Sequence, residues 1–170
     1  MNQLITTLTI LLTLFLSNAV KAQVLEKKPF KDATTIRLYV TDATESAAIA
    51  RFTAFINKTS WTVQSPTKVT KDPNAGLGVD TLRTDVGSLF DFMMGEFQGQ
   101  LVFYADRDVS DKLYIAISGY ASALSWGGSH KSKMKKGGKD SNWPQRALFK
   151  QLDSHLSDYP NAKQIMYSDE

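Results

Sequence analysis

The chain has 170 residues, 42% hydrophobic and 22% charged, with a formal net charge of +3 and no cysteine. That composition fits one globular domain and excludes a disulfide framework, a thiolate zinc site, a cysteine nucleophile and a cysteine-attached lipid anchor. Two histidines leave little material for an all-imidazole metal site, and the small net charge gives no global nucleic-acid footprint.

Residues 1–22 contain an apolar run from Leu4 to Leu16, followed by Ser17, Asn18 and Val20-Lys21-Ala22. The run is about a dozen residues, short of the ~20 needed to span a bilayer. It reads as a signal peptide cleaved before Gln23, so the expected location is the periplasm or the extracellular space. The competing reading is an uncleaved membrane anchor, since no Lys or Arg precedes the apolar run. Removing the leader removes one lysine and no acid, and the formal charge falls from +3 to +2. Residues 23–33 form a charged, flexible lead-in.

Residues 34–41 (TTIRLYVT) alternate with period two, as a half-buried strand does. Asp42 and Glu45 look like a helix start, and Ala48, Ile49, Phe52, Phe55 and Ile56 make one apolar helical stripe. Residues 61–84 read as a hairpin turning at Asp72-Pro73-Asn74-Ala75-Gly76. In residues 86–99, Leu89, Phe90, Met93, Met94 and Phe97 take helical spacing, which predicts a short helix. A second hairpin joins residues 100–106 to 112–121 through the polar turn 107–111. Residues 122–142, rich in Gly, Ser and Lys, read as a mobile loop. Ser141 or Asn142 caps a last helix with Pro144 in its first turn and a stripe of Leu148, Phe149, Leu152 and Leu156. The tail, residues 161–170, is a short strand or loose.

The fold class is therefore α+β: a two-layer sandwich with a mainly antiparallel sheet of about five strands and the helices on one face. One domain covers residues 34–160. Over residues 34–121 the element order resembles the small exported α+β domains of TATA-binding-protein-like architecture; a helix-grip arrangement is the alternative. The resemblance rests on architecture and transfers no functional residue.

Two segments are candidate binding sites. Lys131, Lys133, Lys135, Lys136 and Lys139, beside His130 and glycine pairs, concentrate positive charge suited to anionic lipid, acidic polysaccharide or an acidic envelope protein. Trp126 and Trp143 flank them. A charge run is more often a solvated face. Phe90, Met93, Met94 and Phe97 could line an apolar-ligand site between sheet and helices, although such a stripe is more often core.

Catalytic chemistry has little to stand on. Ser129-His130 and the letters of Ser132-Lys133-Met134-Lys135 lack the geometry and context of a nucleophile and its base, and no G-x-S-x-G or H-E-x-x-H is present. Asp106, Asp108 and Asp111 read as a charged turn in preference to a calcium loop. His155 reads as a packing residue on the last helix, and Asn57-Lys58-Thr59 is a glycosylation sequon. The expectation is a non-enzymatic exported binding module with no cofactor and no metal, or alternatively a carrier of an apolar or amphiphilic ligand.

Overall fold

A computed structural model describes residues 25–59, 61–63, 82–84, 87–92, 95–125 and 128–169. For residues 87–92, 95–97, 123–125 and 128–131 the description is of the backbone. The expected leader and the 72–76 turn lie outside these residues.

The elements run β1 (Leu25–Glu26), β2 (Thr35–Val40), α1 (Glu45–Ile56), β3 (Leu82–Arg83), β4 (Gly87–Phe92), β5 (Gly95–Arg107), β6 (Leu113–Ser125), β7 (Gly128–Lys133), α2 (Trp143–Leu156) and β8 (Ala162–Ser168). The class is α+β, and among the described residues one antiparallel sheet holds eight strands, more than the five expected. Its centre is the β5–β6 ribbon, paired from Glu96↔Leu124 to Arg107↔Leu113. Near the turn between them, β2, β8 and β1 extend the sheet on the β6 side, and β3 flanks β5. Towards the other end β4 pairs with β5 and β7 with β6.

The extra strands come from two segments expected to be non-strand, from the tail, and from the lead-in expected to be flexible, where Leu25 and Glu26 pair with Ser168 and Tyr167 of β8. Residues 87–92 and 95–99 are paired antiparallel strands, not a helix, because extended neighbours supply the backbone partners. A register shift between Ser88 and Phe90 places Leu89 as an extra residue, which breaks the period-two pattern. That single slip leaves Leu89 and Phe90 looking like successive members of a helical stripe. Residues 122–125 and 128–133 are likewise strand and not loop: β6 continues to Ser125, and β7 returns along it with Tyr120↔Lys133 and Ser122↔Lys131 opposed. Gly, Ser and Lys are weak strand formers in isolation, and a long ready-made partner edge overrides that preference.

Both helices pack on one face. Helix α1 begins at Thr44, whose hydroxyl accepts from the Ala47 N–H (3.2 Å), so the cap lies two residues beyond the expected Asp42. It buries Ala48, Phe52 and Ile56. Helix α2 buries Leu148, Phe149, Leu152 and Leu156, the stripe expected from sequence. Ile36 and Leu38 of β2, Leu101 and Phe103 of β5 and Ile115 and Ile117 of β6 meet them, all fully buried. Phe52 sits edge-on to Phe103 with ring centroids 4.9 Å apart. At about 1.5–3 kcal/mol per buried large apolar side chain, this layer is the main stabiliser of a chain with no staples.

The other face of the sheet carries a second, smaller cluster of Tyr39, Tyr114 and Ala116, with Tyr104 and Met166 against it. The Arg37 guanidinium lies 4.8 Å from the Tyr114 ring centroid, and the Tyr114 hydroxyl donates to Asp106 (3.3 Å). Strand alternation thus sorts the sheet into an aliphatic face under the helices and a tyrosine- and arginine-bearing face opposite. Among the described residues, no helix is long and apolar enough to cross a membrane.

Candidate anion-binding surface

The lysine run is divided by the structure into three environments. Lys131 and Lys133 belong to β7, where Lys133 is opposed to Tyr120 and so shares its face of the sheet, away from the helices. Met134 follows with the opposite sense and is fully buried in the core. Lys135 is half-buried, and its ammonium lies 3.0 Å from the Asp32 carboxylate of the lead-in. Lys136 and Lys139 have exposed side chains, while the Lys136 N–H donates to the Ala33 carbonyl (2.9 Å). The five lysines are therefore not one cationic loop. Among the lysines of this run whose side chains are described, Lys136 and Lys139 are the exposed ones.

A set of hydrogen bonds ties this part to α2. Ser141 donates from both its N–H (3.3 Å) and its hydroxyl (2.9 Å) to the Gly138 carbonyl. The Ser141 carbonyl accepts in turn from Arg146 (2.6 Å). Asn142 and Gln145 form a reciprocal capping box, Oδ1 accepting from the Gln145 N–H (3.1 Å) and Oε1 from the Asn142 N–H (2.7 Å). The buried Gln145 amide also donates to the Lys133 carbonyl (2.8 Å), so one side chain joins the helix start to the end of β7.

On the outer side of α2, Trp143, Arg146, Ala147, Lys150, Ser154 and His155 border a shallow groove of about 520 Å³. Trp143 is 46% exposed, the largest exposed aromatic among the described residues. Arg146 and Lys150 escaped the sequence reading, although Trp143, Arg146 and Lys150 fall at i, i+3 and i+7, on the side opposite the leucine stripe. At the far end of the groove His155 packs edge-on against the buried Trp61, with ring centroids 5.7 Å apart, consistent with its reading as a packing residue.

The remaining candidates fall elsewhere. Phe90 and Phe97 occupy opposed positions of β4 and β5, while Met93 and Met94 lie outside the described residues. Phe90 and Phe97 are therefore strand residues and not two members of one helical stripe. Ser132 donates to the Ala121 carbonyl (3.5 Å) and Lys135 is engaged by Asp32, so no Ser–Lys pair forms. In the β5–β6 turn, Asp108 Oδ1 accepts from the N–H groups of Ser110 (2.8 Å) and Lys112 (3.0 Å). These bonds, the Lys112 N–H foremost and then that of Ser110, hold the Asp108 carboxyl below its usual range. Arg107 donates to Glu45 (2.6 Å) and to the Ala43 carbonyl (2.9 Å), and so locks the turn to the start of α1.

The molecule is thus an α+β sheet-and-helix protein with a basic, aromatic patch at the start of its second helix. No family model, no curated protein and no solved structure matches the chain.

Proposed function

We propose that the protein is an exported, non-enzymatic binding module that docks on an anionic lipid surface of the cell envelope. The observation that carries this reading is the half-exposed Trp143 in one groove with Arg146 and Lys150, hydrogen-bonded through Ser141 to the segment bearing Lys136 and Lys139. Tryptophan favours the headgroup level of a bilayer, and lysine and arginine supply the attraction to anionic lipid. Each cation contributes about 1 kcal/mol near a strongly anionic membrane, so four give roughly 4 kcal/mol at low salt.

Co-sedimentation with phosphatidylglycerol vesicles tests the idea, with phosphatidylcholine vesicles as the neutral control. Binding is expected to the first alone and to fade as salt rises above physiological strength. Replacing Lys136, Lys139 and Lys150 with Gln should remove it. Binding that is indifferent to both salt and these three changes would sink the reading. An acidic polysaccharide that binds with the same salt dependence while the vesicles do not would assign the patch to a different partner.

A further inference from the structure

A second site, on different elements, lies at the end of the sheet that carries the β5–β6 turn. The β2–β6 ladder stops at Tyr39↔Tyr114, whereas the β5–β6 ladder continues to Arg107↔Leu113. Past this last pair lies a cavity of about 390 Å³, a wedge bordered by the end of β2, the β5–β6 turn and Lys163 and Gln164 of β8. That volume is within the roughly 300–1,000 Å³ typical of small-molecule pockets. On the far side of β2, the pairing with β8 shifts register. Tyr39 opposes Gln164, but Val40 opposes Ala162, so β8 carries one extra residue at Lys163. Successive residues of a regular strand point to opposite faces, and this bulge lets Lys163 and Gln164 border the same cavity.

The charged groups around the wedge are unevenly committed. Arg107 is spent on Glu45, the Ala43 carbonyl and Asp111. The Asp42 side chain is 1% exposed and faces Arg51 at 3.3 Å, so its carboxylate is sealed away from the cavity. Asp111 is held with φ of 59° at the turn and lies 3.4 Å from Arg107. Lys112 and Lys163 are both exposed and both border the cavity; the Asp108 carboxylate lies near Lys112 and accepts a hydrogen bond from the Tyr39 hydroxyl, and the Gln164 amide donates to Met166 Sδ (2.9 Å).

From this we infer that the wedge between β2, β6 and β8 binds a small oxyanion-bearing ligand, a phosphate monoester or a carboxylate, through Lys112 and Lys163. The bulge supplies the geometry, since without the extra residue Lys163 and Gln164 would belong to opposite faces. The site is independent of the membrane patch at the start of α2 and shares no residue with it.

Nuclear magnetic resonance titration of the purified protein tests this, with inorganic phosphate and, separately, succinate as probes at constant ionic strength. Saturable amide shifts are expected at Val40, Thr41, Leu113 and Gln164 with one or both probes, and the preferred probe identifies the headgroup. The Lys112→Gln/Lys163→Gln variant should bind about tenfold more weakly, the scale of losing charge-assisted hydrogen bonds. The Lys136→Gln/Lys139→Gln variant should titrate like the parent protein. Non-saturating shifts with both probes, unchanged affinity in the Lys112/Lys163 variant, or shifts centred on residues 136–150 would each overturn the assignment.

Discussion

Lys135 and Asp32 form a 3.0 Å ion pair directly beside Gly138, whose φ is +116°. A Cβ placed on Gly138 would lie 2.6 Å from the Asp32 Oδ1 and 3.2 Å from Lys135 Cε. The backbone conformation, which L side chains rarely adopt, is what requires glycine here; the contact with the ion pair adds a smaller cost, since the ends of Asp32 and Lys135 can swing aside. Gly138→Ala is expected to destabilise the fold by about 1–3 kcal/mol, read as a lower denaturant midpoint at unchanged slope. A midpoint equal to that of the parent protein would show that the segment is slack.

The same pair separates structural from binding lysines. Lys135→Gln breaks a partly buried contact and should lower stability while leaving vesicle binding within about twofold. Lys139→Gln should do the reverse, because an exposed lysine contributes little to folding and about 1 kcal/mol to an anionic surface. Equal losses of binding in the two variants would mean that the cluster acts as one undifferentiated charge.

Gln145 uses both ends of its amide, in the capping box and on the Lys133 carbonyl, from a buried position. Gln145→Ala leaves the Lys133 carbonyl and the Asn142 N–H without these partners, and about 2–3 kcal/mol of destabilisation is expected. Asn142→Ala removes the cap alone and should cost about 1 kcal/mol. If the two changes cost the same in equilibrium unfolding, the bond to β7 contributes nothing beyond the cap.

How far the sequence exposed this architecture depends on whether a segment carries its own pattern. Ile36, Leu38 and Val40 alternate without interruption, and Leu148, Phe149, Leu152 and Leu156 hold helical spacing, so β2 and α2 were legible to within a residue or two. The segment 86–99 was not, because the bulge at Leu89 shifts the phase of a strand into that of a helix. Residues 128–133 are strand by virtue of the β6 edge beside them, information held in residues 120–125 and absent from their own composition. The lysines were visible as charge; their division among Asp32, the strand and open surface depends on tertiary contacts that spacing does not encode. Lys163 could not be singled out at all, since a bulge is a property of two strands together.

At Gly119 the sheet passes directly under Leu148 of α2. A Cβ there would meet the Gln100 carbonyl at 2.8 Å and Leu148 Cδ2 at 3.2 Å. The first contact is backbone within the β5–β6 ribbon and cannot swing aside. Gly119→Ala is expected to cost about 1–3 kcal/mol as overpacking. Combining it with Leu148→Ala tests the origin of the cost. Relief of the side-chain clash makes the pair less destabilising than the sum of its parts, whereas strict additivity would place the whole penalty on the Gln100 carbonyl.

The acid limb of stability should report the β5–β6 turn. The Asp108 carboxyl is held below its ordinary value of 3.8, chiefly by the Lys112 N–H, and Glu45 is held below 4.5, first by its own backbone N–H and then by Arg107. Because both folded values are depressed, the unfolded chain binds more protons in the interval between folded and unfolded values. Their stabilisation is present above the unfolded values and is lost as pH falls through the folded ones. The melting temperature should therefore decline below about pH 4, with a shallower decline in Asp108→Asn, whose amide oxygen still accepts from Ser110 and Lys112 but does not titrate. Identical acid slopes in the two proteins would remove Asp108 from the account and leave the decline to other carboxylates.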